Sequence, residues 1–370
     1  MPIRAAVMVA PERPLEVWDL PDPVVEPGGV LIETVVSEVC GTDAHLFHGR
    51  LAGVPYPIVP GHVAVGRVLE ANDVHADALG RRLGRGDLVT FYDVHEVCGR
   101  CWYCLVARRP NRCPKRKVYG ITYSAKDGPL GGWAERVYLK PGVHVVRLPE
   151  PLGPDDVIGG GCGLFTGFAA LERAEMKMGD RVLVQGAGPV GLAAAAFAVL
   201  GGASVVMVIG APAPRLDLAK ALGADATLDL DWEDMAERRM RILGLTDGRG
   251  PDVVVEASGN PAALPEGLAL LRDGGTYVVA GHYTDTGSVE LNPHVHLNRK
   301  HADVRGQWGT EFHHVHGALA LLAKHKARLP FARTIGARYG LERAGQALDD
   351  VGERRVTKAI IEPVADRAIT

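Results

Sequence analysis

The sequence lacks both a long hydrophobic run and an excess of charge of one sign. Its longest apolar run, around residues 193–200, is too short to cross a bilayer, and residues 1–8 lack the apolar core of a signal peptide. With 41 Lys and Arg against 44 Asp and Glu, no basic excess points to nucleic acid. We therefore expect a cytoplasmic protein whose partner is a small molecule, with neither membrane nor nucleic acid as a partner.

Cysteine is scarce, with six in 370 residues, but four of the six fall in one short run. The run reads Cys98-x2-Cys101-x2-Cys104-x8-Cys113. Three thiolates at this spacing and a fourth within ten residues can close a tetrahedron around one zinc ion, which is typical of a structural site. A disulfide framework is the alternative, but a chain of this length without a secretory segment does not need one.

The chain is longer than one hydrophobic core usually supports, so two domains are expected. Its first 150 residues show short β segments separated by Gly or Pro, at 30–36, 63–70, 87–91 and 133–139. From residue 180, β-branched runs alternate with helical stretches, which predicts a doubly wound parallel sheet. A last strand at 358–361 is expected to return to the first domain. The fold class is therefore α/β, with boundaries at 1–166, 167–306 and 307–370.

A glycine fingerprint follows the first strand of the alternating region. Gly186-Ala187-Gly188-Pro189-Val190-Gly191 comes directly after the strand at 181–185 and opens an alanine-rich helix. The first glycine permits a tight turn, the second lets the backbone approach a pyrophosphate, and the third packs helix against strand. The N-terminus of the helix adds N–H donors and a favourable dipole. The pattern predicts a nicotinamide dinucleotide site.

The choice between NAD and NADP is open. A strand at 205–209 should end in an acidic residue if it grips the ribose hydroxyls as NAD sites do, but Gly210 stands there. Arg215 lies one turn further, where it is equally consistent with a solvated helix residue. Because no basic cluster lies beside Gly210, the sequence leans slightly to NAD.

The two remaining cysteines, Cys40 and Cys162, stand far apart, and His62 lies between them in the sequence. Each alone is more often a buried or solvated residue than a ligand. Together they make a Cys2His set, which leaves zinc formally neutral and its fourth position open to water or a substrate oxygen. We predict a second, catalytic zinc site, hence two zinc ions per chain.

These motifs resemble the zinc-dependent medium-chain alcohol dehydrogenase family over essentially the whole chain. The resemblance rests on five segments in the family's order: Cys40-Gly-Thr-Asp-x-His45, Gly61-His62, the Cys98–Cys113 cluster, Cys162-Gly-x-x-Thr-Gly167 and Gly186-x-Gly-x-x-Gly191. It implies a GroES-like β-rich catalytic domain, a Rossmann cofactor domain, a catalytic zinc and a homodimer or homotetramer.

The resemblance also implies roles for single residues. Thr42 and His45 would pass the substrate proton outward, Asp43 would orient His62, and Lys358 would lie close to the pyrophosphate. The expected activity is hydride transfer between an alcohol, secondary or hydrophobic, and NAD(P). Two alternatives are a zinc-independent quinone or enoyl reductase of the same superfamily, which lacks both cysteine sets, and a binding protein that has lost the chemistry.

Three positions depart from the family pattern. Val63 follows His62 where many members have glutamate, so a carboxylate implied to assist exchange of zinc ligands is missing unless another group substitutes for it. The interval from Cys104 to Cys113 is one residue longer than expected. Gly210 replaces the common NAD-selecting aspartate. Substrate identity is not fixed, because Phe47, Phe91, Tyr92, Leu164 and Trp308 suit a pocket or a packed core equally.

Overall fold

The computed structural model describes residues 2–364 and contains two compact units. The first unit comprises residues 2–161, 311–324 and 331–364, and the second comprises 162–310 and 325–330. The predicted boundaries, after residues 166 and 306, lie a few residues from these divisions. In the described part of the chain, no helix has the length and apolar character that a membrane crossing requires.

The first unit is built around a mainly antiparallel sheet. The strands of this unit up to residue 161 are β1 Ile3–Val7, β2 Glu16–Leu20, β3 Val30–Val39, β4 Ala64–Ala71, β5 Leu88–Phe91, β6 Val94–His95, β7 Lys117–Val118, β8 Arg136–Leu139 and β9 Val145–Arg147. β1 with β2 and β6 with β7 form two separate two-stranded sheets. The helices that begin here are α1 Gly41–Phe47, α2 Trp102–Leu105 and α3 Pro154–Ala174, whose second half belongs to the other unit. β3 pairs with both β4 and β8.

The second unit is a parallel six-stranded sheet with helical connections. Its strands are β10 Arg181–Gln185, β11 Val205–Gly210, β12 Ala226–Asp229, β13 Val253–Glu256, β14 Thr276–Val279 and β15 Asp303–Gly306. Its helices are α4 Pro189–Leu200, α5 Ala213–Ala221, α6 Met235–Leu245 and α7 Ala263–Leu270. The spatial order β12-β11-β10-β13-β14-β15 is that of a Rossmann sheet, so the predicted doubly wound fold is confirmed.

Side-chain size explains how α4 packs on this sheet. From Gly191 to Ala198 every residue of α4 is buried, and five of these eight are alanine, so the helix backbone can approach β10 and β11 closely. β11 is itself buried along almost its whole length, as expected for a strand covered on both faces.

The chain then returns to the first unit. The returning elements are α8 Phe312–Lys324, β16 Ile335–Tyr339, α9 Ala344–Gly352 and β17 Lys358–Ile361. Short 3₁₀ or π turns lie at Pro110–Arg112, Ala125–Asp127, His294–Asn298, Lys326–Arg328, Phe331–Thr334 and Leu341–Arg343. β17 pairs antiparallel with β3, so the chain here lies in the sheet of the first unit. This pairing also explains why β3 ends at Val39 and not at the predicted residue 36, because residues 37–39 gain a partner far along the chain.

Candidate functional site

The four clustered cysteines lie together in the first unit. One sulfur atom from each lies within 4.8 Å of the others, and all four are thiols rather than disulfides. Cys101 Sγ is 3.5 Å from Cys104 Sγ and 4.0 Å from Cys113 Sγ. These distances bracket the edge of about 3.8 Å expected for a tetrahedron with zinc–sulfur bonds of about 2.3 Å. The cluster therefore fits a zinc ion with four protein ligands.

Backbone N–H groups support negative charge on this cluster. The N–H of Cys98 donates to Cys113 Sγ over 3.4 Å. The pKa of Cys98 is lowered, chiefly because the backbone N–H of Arg100 donates to its sulfur. Hydrogen bonds of this kind favour the thiolate, which is the form that binds metal.

A second group of ligand atoms contains three predicted residues and one that was not predicted. Atoms of Glu38, Cys40, His62 and Cys162 all lie within 4.8 Å of one another. The first three belong to the first unit, and Cys162 follows its residue Gly161 by one peptide bond. The predicted Cys2His set is thus brought together, with the carboxylate of Glu38 beside it.

Cys40 is held by the cap of helix α1. Its backbone N–H donates to Asp43 Oδ2 over 2.9 Å, and the N–H of Thr42 donates to Cys40 Sγ over 3.3 Å. These two bonds form a capping box in which cysteine takes the place of the usual serine or threonine. The spacing Cys-x-x-Asp therefore fixes the direction of the sulfur.

Asp43 has a second carboxylate oxygen that the cap does not use. Oδ1 is buried and makes no hydrogen bond within the described structure. The pKa of Asp43 is raised by burial, an effect that the nearby His62 partly opposes. A buried acceptor close to an imidazole is the usual partner of a metal-binding histidine, so the surroundings of His62 fit a zinc ion.

Cys162 is positioned by a break in helix α3. Gly161 has φ of +53° and ψ of −143°, outside the helical region. A Cβ atom on Gly161 would lie 1.8 Å from Glu38 Oε2 and 2.8 Å from Lys358 Nζ. Glycine is required here both by the positive φ and by the two charged side chains that occupy the space.

Glu38 and Lys358 form a buried ion pair beside the thiolates. Lys358 Nζ lies 2.6 Å from Glu38 Oε2, and both side chains are 0% exposed. The other oxygen, Oε1, lies 3.5 Å from His62 Nε2. Contact between Lys358 and a pyrophosphate stays a prediction. The ammonium group of Lys358 already pairs with the carboxylate of Glu38, which was not predicted from the sequence. The available signal was a charged residue in an otherwise apolar strand end, because such a residue needs a buried partner.

Asp93 is a second acidic residue near this group. It follows strand β5, and its pKa is raised by burial while His62 partly opposes the rise. Its neighbour Tyr92 contacts Phe312, with ring centroids 6.2 Å apart. By contrast, Phe91 and Leu164 belong to the core, since they are 1% and 0% exposed. The sequence alone did not decide whether these two residues line a pocket or pack in the core.

Thr42 and His45 lie three residues apart on helix α1, so their side chains share one face. Both are partly exposed. The pKa of His45 is lowered, first by burial and then by the nearby charges of Arg50 and His48. The imidazole is therefore neutral at pH 7 and able to accept a proton.

The glycine loop of the second unit leaves space where a phosphate group needs it. Gly186 has φ of +117°, and a Cβ on Gly191 would lie 1.8 Å from the carbonyl oxygen of Gly186. A Cβ on Gly188 would meet no atom within 4 Å. Gly188 caps helix α4, with Pro189 and Val190 as its first two residues. The loop therefore has an open concavity at a helix N-terminus, which fits a dinucleotide pyrophosphate.

Packing explains the missing acidic residue at position 210. A Cβ on Gly210 would lie 2.6 Å from the Cβ of Ala187 in the glycine loop. Asp229, at the end of the neighbouring strand β12, pairs directly with Gly210 in the parallel register. An acidic residue thus stands beside this strand end on a different strand, and its Oδ1 accepts a hydrogen bond from the N–H of Asp231 over 2.9 Å. Arg215 lies within α5 and is partly exposed.

Comparisons with known proteins match both halves of the chain to dehydrogenases. One family model, an alcohol dehydrogenase GroES-like domain, matches residues 26–150, and another, a zinc-binding dehydrogenase, matches residues 189–324. The 5-exo-hydroxycamphor dehydrogenase of Pseudomonas putida is 34% identical over 99% of both chains. An L-threonine 3-dehydrogenase of Streptomyces avermitilis is 30% identical over 97% of this chain and 99% of its own.

Solved structures give the same fold. An alcohol dehydrogenase from Thermotoga maritima has a TM-score of 0.93 at 33% identity, covering 98% of this chain and 100% of the other. A zinc-binding dehydrogenase from Sinorhizobium meliloti, solved with NADP, has a TM-score of 0.85 at 26% identity, with coverage of 98% and 100%.

Proposed function

Because the chain belongs to the zinc-binding dehydrogenase family with a GroES-like alcohol dehydrogenase domain, we propose that it oxidises secondary, largely apolar alcohols and reduces the corresponding ketones. As a member, it is an NAD(P)-dependent oxidoreductase that acts on CH–OH groups. The observation that carries the proposal is the gathering of Cys40, His62 and Cys162. We assign one zinc ion to this group and a second to the four clustered cysteines, hence two per chain.

The protein supplies binding, orientation and a path for the proton. Zinc, when bound, supplies a Lewis acid that lowers the pKa of a hydroxyl group, and the nicotinamide supplies the hydride acceptor. The capping box fixes Cys40, and Asp43 Oδ1 is available to hold the ring of His62. Burial of these side chains keeps water away from the group that loses its proton.

The released proton needs an acceptor that leads to solvent. Thr42 and His45 share the exposed side of helix α1, and the lowered pKa of His45 keeps its imidazole neutral at pH 7. A neutral imidazole at the surface can take the proton and release it to water. We therefore assign the relay to Thr42 and His45, with Asp43 as a positioning residue.

The preference for an apolar carbon skeleton rests on the aromatic residues around Tyr92, whose chain neighbour Asp93 interacts electrostatically with His62. Tyr92 is 6% exposed and contacts Phe312 and His144 through its ring. A substrate site close to such an aromatic cluster would suit an apolar skeleton better than a highly hydroxylated one. The relative named for 5-exo-hydroxycamphor is consistent with such an alcohol.

We propose NAD as the preferred cofactor. Asp229 stands opposite Gly210 in the strand register, and a carboxylate near the ribose would repel the 2′-phosphate of NADP. We expect a higher kcat/KM with NAD, and Asp229→Asn should lower the NAD to NADP ratio about 10-fold. Asp231→Asn, an exposed acid two residues further, is the matched control and should leave the ratio unchanged. Preference for NADP in the unmodified protein would contradict this choice.

A homodimer or homotetramer is also proposed. Helix α2 and the residue after it leave large apolar side chains exposed, with Trp102 at 62%, Leu105 at 63% and Val106 at 64%. Exposed apolar side chains in a group are more typical of interfaces than of monomer surfaces. Light scattering on the purified protein tests the state, and a monomer would contradict it.

The activity is tested with a panel of secondary alcohols and ketones, each with NAD and with NADP, using zinc-loaded protein. We expect oxidation of apolar secondary alcohols, followed by the absorbance of the reduced nicotinamide. If the zinc-loaded protein bound the dinucleotide but turned over no alcohol or ketone, the binding-protein alternative would be favoured instead.

A further inference from the structure

We propose that Glu38 is a fourth, displaceable protein ligand of the metal held by Cys40, His62 and Cys162, and that Lys358 makes it displaceable. The inference rests on the zinc site of the proposed function. It changes that site from one with a permanently open position to one that a carboxylate closes until substrate arrives.

The first observation is the distance between two of the ligand atoms. Glu38 Oε1 lies 3.5 Å from His62 Nε2. Zinc bonds to nitrogen and oxygen of about 2.1 Å give a tetrahedral edge of about 3.4 Å. The carboxylate oxygen and the imidazole nitrogen are therefore spaced as two ligands of one ion, and both lie within 4.8 Å of the two sulfur atoms.

The second observation is that the two oxygens of Glu38 face different partners. Oε2 lies 2.6 Å from Lys358 Nζ, while Oε1 faces His62. Two thiolates balance the two charges of zinc, and Lys358 balances Glu38, so the four ligands, the zinc ion and Lys358 would be formally neutral together. A carboxylate that shares its charge with an ammonium is a weaker donor to the metal than one that does not. Lys358 thereby favours exchange of Oε1 for another ligand.

The third observation is the position of Glu38 in strand β3, opposite Val63. The N–H of Glu38 donates to the carbonyl oxygen of Val63 over 3.1 Å, which continues the register that pairs Ser37 with Ala64. Directly opposite residues of antiparallel strands project from the same face. Glu38 thus supplies, from the opposite strand, a carboxylate on the face where Val63 has none.

The main chain of Glu38 is held in place, so only its side chain can move. Its carbonyl oxygen accepts a hydrogen bond from the indole N–H of Trp133 over 2.9 Å. Gly161 leaves only enough space for the existing Glu38–Lys358 pair. With zinc bound, an entering substrate oxygen would take the position of Oε1, while Oε2 would keep its bond to Lys358. One donor replaces another, and the step needs no oxidant, reductant or additional proton.

The test uses the full-length protein with cobalt(II) in place of zinc and imidazole as the probe ligand. Imidazole must displace Oε1, and its binding changes the visible absorption of the cobalt ion. In Glu38→Gln we expect imidazole to bind at least about 10-fold more tightly than in the unmodified protein. In Lys358→Met we expect the opposite, about 10-fold weaker binding, because the carboxylate then donates fully to the metal.

Two further variants separate this effect from loss of structure. Glu38→Gln leaves a buried ammonium without its partner, so the double variant Glu38→Gln/Lys358→Met removes both charges and should bind imidazole as tightly as Glu38→Gln. Glu33→Gln, on the same strand β3 and away from the ligand atoms, should behave as the unmodified protein. The cobalt bands of the four-cysteine site serve as an internal reference for correct folding.

Equal imidazole affinity and identical spectra in the unmodified protein and in both Glu38 variants would overturn the proposal, because water would then occupy the fourth position. The proposed function would survive that result, since the measurement uses neither alcohol nor dinucleotide. If cobalt entered only the four-cysteine site, both the inference and the catalytic zinc assignment would fail.

Discussion

The two groups of candidate metal ligands differ in how the chain assembles them. The four-cysteine group lies between residues 98 and 113, and its members are linked by short turns. The other group takes Glu38 and Cys40 from one segment, and His62 and Cys162 from two others; the three meet only in the folded structure. A local site can be recognised from its spacing, whereas a dispersed site depends on strand pairing and on one glycine.

The two groups also differ in whether a ligand has a charged partner of its own. Four cysteines would close the first site around one ion, whereas Glu38 in the second group already has a charged partner in Lys358. We therefore expect the first metal ion to contribute mainly to stability and the second mainly to chemistry. The following predictions test that division.

Removal of a ligand from the dispersed site should have the largest effect on turnover. His62→Ala should reduce kcat by about 10³-fold or more, because the Lewis acid supplies several kcal/mol of transition-state stabilisation. Turnover and zinc content are measured together, and one zinc per chain should remain. His95→Ala is the control, since His95 is a buried histidine that contacts Tyr123 and the carbonyl of Pro141. A His62→Ala protein with normal turnover would contradict the division.

Removal of a ligand from the four-cysteine site should act on stability instead. Cys101→Ser should lower the melting temperature by about 5 °C or more, because the free energy of binding at a closed zinc site is part of the folding free energy. Cys40→Ser is the matched substitution in the other site and should change the melting temperature less while abolishing turnover. Equal thermal shifts in the two variants would remove the distinction between the sites.

Much of the fold was predictable, because local pattern decides it. The strand at 181–185 and the closing strand at 358–361 have the predicted bounds, since short β-branched runs mark both. The last three residues of β3 were not predictable, because their partner β17 lies more than 300 residues away.

The residues of the candidate site also differ in whether a local motif or a distant partner reveals them. Cys40, His62 and Cys162 were recognisable as motif residues, and the structure brings them together. Glu38 was missed, because its role depends on Lys358, 320 residues further along the chain. Asp229 was missed for a similar reason, since only the register of two parallel strands places it beside Gly210.

A change in the glycine loop should leave both metal groups loaded. Gly188→Val should weaken dinucleotide binding about 100-fold, since the new side chain fills the space left for the pyrophosphate. Gly244→Val is the matched control, because Gly244 in α6 also has open space around its Cβ position. Binding is measured by calorimetry, and unchanged affinity in Gly188→Val would show that the phosphate site lies elsewhere.

A change in the proton relay should have the smallest effect. His45→Gln should slow alcohol oxidation by about 10²-fold or less while zinc content and dinucleotide affinity persist. Because burial lowers the pKa of His45, the imidazole still accepts protons somewhat below pH 6.5. The decrease in oxidation rate should therefore be greatest at pH values between the lowered pKa of His45 and pH 7, where hydroxide is scarce. His75→Gln, an exposed histidine elsewhere in the first unit, is the control. A pH–rate profile of His45→Gln that overlays the unmodified protein would end the relay assignment.

The most direct test of two distinct metal sites is elemental analysis of the unmodified protein beside Cys40→Ser. Two zinc ions per chain in the former and one in the latter, with turnover lost and the fold retained, is the expected result. One zinc ion per chain in both proteins would contradict the assignment, because Cys40, His62 and Cys162 would then hold no metal.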